Sequence, residues 1–447
     1  MSFVANPRLG LPGRPAPASA FGTRPFASAA PAAAAIPTVS SEPIDRVVVG
    51  FVTLDLVLMM LLQKWALPLS DGDAQVSMLL ITHFGVLGLL ILKGRAVLDP
   101  IRLAGYAAFV TIALLGQFWP DRPFGATSLL LAVAIYAALV IVMPINRATH
   151  RRILLNVQLV VVAISLLVFF DHAIQLAGRD MPNIEAIQPD KMIYHEFVYI
   201  QPLYYGSPYS KPNAIFLLEA STTSQLIAIG LVLELALFQR LRFLLLFGCA
   251  LIATFAGTGL LLFVVSSPFL LPRLKPALIA AGVVAATVAI ALAAASGWFE
   301  VVSKRLDEHE HKGSSAYARF IAPVEIVGAT VAGEPEGALF GLGAGNIERR
   351  PGIVWMAYAK IIVEYGLIVF VVWLAFFSHA VLSPGVPLIA AWLALVQFHL
   401  LNGAFLVPLN VYLCCVLAAG YRLVPEAREA AGAPRRIRLA VSPACSH

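Results

Sequence analysis

Apolar runs too long for a water-soluble fold dominate this chain. They recur between residues 47 and 421, and residues 153–170, for example, hold no charged side chain. About 17–25 such residues carry a helix across the hydrocarbon core of a bilayer. No water satisfies the backbone there, so each run must close its own hydrogen bonds as helix. A β-barrel is disfavoured, because the runs are continuous rather than alternating. Only 13% of the residues are charged and 60% are hydrophobic. Soluble domains need about twice that charge to cover a wet surface. The expected fold is an all-α polytopic membrane protein with about twelve transmembrane helices. They are placed near 47–64, 77–93, 101–118, 126–144, 153–170, 214–238, 243–256, 258–272, 277–296, 356–377, 386–401 and 404–421.

Basic residues orient this bundle, because cytoplasmic loops collect Lys and Arg. One alternation places Arg46, Lys93, Arg95, Arg102, Arg147, Arg151, Arg152, Arg240, Arg242, Arg273 and Lys275 inside. The short outside loops then hold only Lys64 and Arg122. Both termini fall inside. Residues 1–45, rich in Ala, Pro and Ser, read as a disordered cytoplasmic tail. Residues 46–421 form the transmembrane domain, and 422–447 a basic cytoplasmic tail. The formal charge of +6 therefore reports topology rather than nucleic-acid binding. Cys249, Cys414, Cys415 and Cys445 show neither a disulfide framework nor a zinc spacing.

Two connections are long, about 171–213 and 297–355, and both fall outside. Loops of that length in a compact bundle are functional or disordered, and their aromatic content argues for order. The first holds Tyr194, His195, Glu196, Tyr199, Tyr204, Tyr205, Tyr209, Lys211 and Asn213. Aromatic faces with a few cations suit carbohydrate, while an interfacial aromatic belt is the better account of most single tyrosines. The string Phe216-Leu217-Leu218-Glu219-Ala220-Ser221 follows. A carboxylate at the end of a membrane helix is costly unless it is paired or faces a wet cavity, which makes Glu219 a candidate for chemistry.

The second loop carries Lys304, Arg305 and the run Asp307-Glu308-His309-Glu310-His311-Lys312. Alternating charge of this kind is ordinary solvation, and no metal or other cofactor is expected. Arg319 opens an amphipathic stretch suited to lie on a bilayer. Its planar fork matches phosphate oxygens, and snorkelling to lipid headgroups is the competing reading. Gly341, Gly343 and Gly345, with Asn346, then lead through Arg349 and Arg350 to a helix bearing Lys360 and Glu364 one turn apart. The glycines admit a close ligand or a sharp turn. Mutual pairing is the simple account of Lys360 and Glu364. Asp55 and Glu234 are buried ionisable candidates inside runs, a feature a transporter or flippase would show, but no internal repeat accompanies them.

In this order the motifs resemble the O-antigen ligase and polysaccharide polymerase superfamily of bacterial inner-membrane proteins. The resemblance rests on Phe216 to Ser221, Ala256 to Gly259, Ser314 to Arg319, Leu339 to Asn346 and Lys360 to Gly366. It implies polymerisation of lipid-linked repeat units into a surface or exo-polysaccharide at the outer face of the inner membrane. The donor would be an isoprenoid-diphosphate-linked oligosaccharide. Chain-length regulators, export proteins and membrane lipid are the implied partners. Under this reading Glu219, Arg319 and Glu364 are catalytic candidates. Lys211, Tyr205, Gly343, Gly345, Asn346, Arg349 and Arg350 are binding candidates. Two departures matter: Ala220 stands where proline is common, and Trp355-Met356 stands where ligases carry a His-Asn pair. Lys211 occupies the place of a frequent arginine. The missing histidine tilts the reading from ligase towards polymerase, with ligase and flippase as alternatives.

Overall fold

A computed structural model describes residues 43–68, 75–118, 124–203 (except 196 and 198), 207–270, 317–347, 355–401 and 405–424, with isolated positions between 272 and 291. Among the described residues the molecule is helical with five very short strands. Among the described residues four helices are long and apolar enough to cross a membrane: Pro100–Gln117, Arg147–Leu176, Ala220–Phe238 and Ala357–Val381. Six shorter apolar helices accompany them among the described residues.

In chain order the elements begin with α1 (Arg46–Leu61), β1 (Ala66–Pro68), β2 (Gln75–Ser77) and α2 (Met78–Leu92). Next come β3 (Val97–Leu98), α3 (Pro100–Gln117), α4 (Ala126–Ala137), β4 (Ile141–Ile145) and α5 (Arg147–Leu176). The helices α6 (Ala220–Leu233), α7 (Leu241–Ala253) and α8 (Gly257–Leu270) follow. The last group is α9 (Ala322–Val331), α10 (Pro335–Phe340), α11 (Ala357–Val381), α12 (Leu388–Val396), α13 (Pro408–Cys414) and β5 (Tyr421–Leu423).

One end of the bundle is tied by a small sheet in the order β3-β4-β5, with β4 and β5 parallel. The run expected as a helix over 126–144 therefore ends early: α4 stops at Ala137, and Ile141–Ile145 pairs as strand. Arg102, almost wholly buried, sits beside this sheet. Its guanidinium donates to the carbonyls of Leu139 and Ala380 and to Ser383 Oγ, each at 3.1 Å, and to the Ala419 carbonyl. Terminal helix carbonyls have no partner of their own, so one cation closes segments that end far apart in sequence. Nearby, the fully buried Glu234 is held by Arg240 through Nε at 2.9 Å and Nη2 at 2.7 Å. Glu234 is fully buried while the Arg240 side chain is 33% exposed, so the arginine brings the compensating charge in from the rim. Glu234 and Arg240 thus pin a π-helical turn (Glu234–Phe238) that ends in left-handed Gln239.

Asp55 on α1 meets His83 on α2 at 2.7 Å, and the His83 ring stacks on Tyr412 at 3.8 Å. The segment Ala256–Gly259, expected as a hairpin, joins α7 to α8 and starts the latter helix. It packs on the hydroxyl face of α6, where Gly259 N donates to Ser224 Oγ at 3.1 Å and Ser224 Oγ lies 3.2 Å from Thr258 Oγ1. The opposite end of the bundle carries the two long connections, and the candidate site lies there.

Candidate functional site

Glu219 is the N-cap residue of α6, so its position is set by the chain entering that helix. The entry is tightly built. Asn213 is buried and its Nδ2 donates to the Tyr199 carbonyl at 2.9 Å. Ala214 and Ile215 follow at φ 53° and φ 64°. Left-handed backbone is costly for a β-branched residue, and such strain persists only where neighbours over-determine it. Here the neighbour is the turn after α1: Gln63 Oε1 accepts from Leu218 N at 3.2 Å. The carboxylate itself is anchored by Ser221 Oγ, which donates to Glu219 Oε2 at 2.8 Å.

Arg319 reaches the same carboxylate from a segment a hundred residues away, with Nη2 at 3.9 Å from Glu219 Oε2. Its side chain is only 15% exposed, and its Nε has no hydrogen-bond partner among the described residues. Burial pushes the guanidinium pKa down and Glu219 pulls it back up; an arginine stays charged in either case. The arginine lies in a π-helical turn, Tyr317–Ile321, continued by α9. Phe320, Ile326, Val327 and Tyr358 pack on a small apolar cluster of Ile347, Trp355, Met356, Ala359 and Val363. Trp355 is therefore part of the packing that fixes the segment bearing Arg319.

The tyrosine-rich connection closes over the end of α1. Lys64 is buried, pairs with Glu185 at 3.0 Å and lies 4.9 Å from the Tyr199 ring centroid. Burial lowers the Lys64 pKa, and Glu185 opposes this. The Tyr199 hydroxyl donates to the Tyr194 carbonyl, and Tyr194 N donates to the Lys64 carbonyl at 3.0 Å. Tyr199 is thereby an interior residue, and Tyr209, 45% exposed, keeps a free face. Lys211 is half-buried, with its amide donating to the Gln201 carbonyl at 2.7 Å. Tyr205, Arg349 and Arg350 lie outside the described residues.

The glycine segment is docked into a break in α11. Gly366 has φ 84° and ψ 171°, a region open essentially to glycine alone. The break exposes carbonyls of the preceding turn. Val363 O accepts from Leu342 N at 2.7 Å, and Glu364 O from Gly343 N at 3.0 Å. Gly341, at φ 77° and ψ −175°, touches the same turn; a Cβ there would lie 2.4 Å from the Glu364 carbonyl oxygen. Beyond it, Ala344 N donates to Gln117 Oε1 at 2.7 Å and Gly125 N to the Ala344 carbonyl at 2.6 Å, which fastens the segment to the α3–α4 corner. Gly345 packs against Gly125 at that corner, and Asn346 Nδ2 donates back to the Leu342 carbonyl at 2.5 Å. Glu364 is fully buried, with Oε1 3.4 Å from both Lys360 Nζ and Ile347 N.

The sequence candidates thus separate in space. Glu219 and Arg319 meet. Glu364, Gly343, Gly345 and Asn346 belong to the joint between the glycine segment and α11. Two contributors carry no signal in the sequence, Gln63 and Gln117: each is a lone amide after an apolar run, and only the folded chain shows that it holds a candidate segment. Among the described residues no cluster of three or more His, Cys, Asp or Glu is arranged to hold a metal.

Chemically, a carboxylate held by a hydroxyl beside a buried arginine fork can accept one proton and bind one anion. That pairing suits transfer between a hydroxyl and a phosphate-linked carbon. A search of curated proteins finds no match to the chain. The WcaD colanic acid polymerase family matches residues 71–427, a range that includes Glu219, Arg319, the glycine segment and α11. This chain, with its membrane-length apolar helices and its ordered set of motifs, belongs to the WcaD colanic acid polymerase family and joins repeat units into exopolysaccharide.

Proposed function

We propose that the polymerase uses isoprenoid-diphosphate-linked oligosaccharide as its donor, at the outer face of a bacterial inner membrane. About twelve spans would leave both termini in the cytoplasm. In this reading the hydroxyl of an incoming repeat unit attacks the anomeric carbon of the growing chain. A new C–O bond forms, the bond from that carbon to the diphosphate breaks, and isoprenoid diphosphate leaves. Glu219 takes the hydroxyl proton. Arg319 meets the charge that develops on the leaving diphosphate, the largest electrostatic demand of the step. The observation that carries the reading is the approach of Arg319, in the second long connection, to Glu219 at the N-terminus of α6, at 3.9 Å. Tyr209, Lys211, Tyr205, Arg349 and Arg350 are proposed to line the sugar and diphosphate path. Chain-length and export proteins are the proposed partners.

The test is a reconstituted assay with lipid-linked repeat units, read as product length on a gel. Glu219→Gln keeps the side chain's shape and removes its charge. Polymer formation should fall by about 10²–10⁴-fold, the usual worth of a general base, while lipid-linked units accumulate. A Glu219→Gln strain that makes normal-length polymer but stops attaching it to a final lipid anchor would instead restore the ligase reading.

Orientation has its own test. Single cysteines at Ser207 and Ser314, in a background without the native four, should react with an impermeant thiol reagent in intact spheroplasts. Labelling only after lysis would overturn the proposed compartment.

A further inference from the structure

Near the C-terminal end of α5 lies a carboxylate that the proposed reaction does not use. Asp171 is fully buried, and neither of its oxygens completes a hydrogen bond among the described residues. The backbone amides of Asn213, Ala214 and Ile215 face it together, and the Lys64 ammonium acts on it from further off. Lys64 is bonded to Glu185 at 3.0 Å, so its charge is already engaged. One turn along α5, Gln175 grips the same segment twice. Its Nε2 donates to the Ser210 carbonyl at 3.1 Å, and its Oε1 accepts from Ser210 N at 2.7 Å. The end of α5 thus lies along residues 210–215, the chain that delivers Glu219.

A buried carboxylate without a bonded partner is costly, and consecutive amides turned to one side form a concave site for an anion. Turning them requires unusual backbone. Ala214 and Ile215 stand at φ 53° and φ 64°, a strained region for residues with a Cβ. The two costs offset each other: the charge of Asp171 keeps the amides facing it, and the turned amides keep the charge inside. The turn is closed by Phe216 N, which donates to the Ala214 carbonyl at 2.6 Å, and by Leu217 N, which donates to the Asn213 carbonyl at 3.3 Å. Glu219 comes two residues after Leu217, in extended backbone at φ −146° and ψ 161°. The direction of its side chain therefore follows from the turn that Asp171 holds.

We infer that Asp171 is a positioning residue for Glu219: its buried charge gathers the amides of Asn213, Ala214 and Ile215 and so aims the Glu219 carboxylate at the acceptor hydroxyl. The inference rests on Glu219 being the base of the proposed reaction. Ser221 and Arg319 approach the carboxylate itself, whereas Asp171 governs the backbone from which it hangs. Such a role matters because a displacement of about 1 Å at a reacting group costs about 10²-fold in rate.

The test is a double-mutant cycle on the full-length protein in lipid, with lipid-linked repeat units as substrate. Asp171→Asn keeps the shape of the side chain and removes its charge. It should lower kcat about ten- to hundredfold and leave KM within about twofold. Added to Glu219→Gln, it should cost less than about twofold more, because aiming a group that no longer takes the proton has no value. Residues that act through one another are non-additive in this way, whereas a general loosening of the fold would lower the rate in either background. Wild-type kcat in Asp171→Asn, or a penalty that multiplies in full with that of Glu219→Gln, would overturn the positioning role and leave Glu219 as the base. Wild-type kcat in Glu219→Gln would remove the base, and the role of Asp171 with it. Should Asp171→Asn alone fold poorly, the cycle is read in an Ala214→Gly background, since glycine adopts φ 53° at no steric cost, and the same outcomes decide.

Discussion

Arg319→Ala should abolish polymer while the protein still folds and inserts. The expected loss in kcat is about 10²–10³-fold, the measured worth of one preorganised donor aimed at developing charge. Arg319 is suited to that task by burial: its guanidinium is 15% exposed and keeps an unpartnered Nε, so little solvent screens it. Lysine should rescue poorly, because an ammonium is a point charge and cannot present two parallel N–H groups to a phosphate. The substitution also leaves Glu219 without its cation, although Ser221 Oγ still holds the carboxylate. Thermal midpoint and membrane yield, measured beside activity, separate the two effects. Activity near wild type in Arg319→Ala would remove this residue from the site and turn attention to Arg349 and Arg350.

Gly366→Ala should be as damaging for a different reason. A Cβ at residue 366 would stand 2.1 Å from the Leu339 carbonyl oxygen, a backbone atom that cannot swing aside. The backbone there is in a region that L-residues avoid. Overpacking costs about 1–3 kcal/mol, and left-handed strain adds about 1–2 kcal/mol. The break in α11 would either close or move, and the carbonyls of Val363 and Glu364 would no longer receive Leu342 and Gly343. Undocking the glycine segment also releases Ile347, which belongs to the cluster that seats the Arg319 segment. The expected result is a lower thermal midpoint and loss of polymer together. Gly88→Ala is the control: nothing lies within 4 Å of its Cβ position on α2, and alanine there favours the helix by about 1 kcal/mol. Gly366→Ala with wild-type activity and stability would show that α11 does not need its break.

These two positions also separate the kinds of residue in the family's motifs. Gly341, Gly343 and Gly345 suggest ligand contact when read as a glycine cluster. In the fold Gly343 N donates to the Glu364 carbonyl of α11, Gly341 lies hard against the same turn, and Ala344 between the glycines bonds Gln117 and Gly125. Glu-Tyr-Gly is the other half of the same joint, with Tyr365 buried in the bundle and Gly366 supplying the break. Trp355, which stands where ligases carry histidine, fills the apolar cluster beside Arg319. An indole cannot accept a proton, which agrees with a base elsewhere.

The sequence by itself determined the solvent and the class of this protein. Uncharged runs such as residues 153–170 can only be helix in lipid, and a motif order spread over residues 210–370 was enough to point to a polysaccharide polymerase. Glu219 and Arg319 were legible too, because a lone carboxylate and a lone arginine are expensive at a membrane boundary. Tertiary structure decided what each polar residue touches. It brought Glu219 and Arg319 within 3.9 Å across a hundred residues, turned three glycines into a docking joint, and ended the run at 126–144 in a strand paired with residues 421–423. It also made Gln63, Gln117 and Arg102 important, though nothing around them marks them out. The physical reason is that apolar patterning reports burial along one segment, whereas a buried donor's partner is chosen by whichever distant carbonyl or carboxylate the packing brings within about 3 Å.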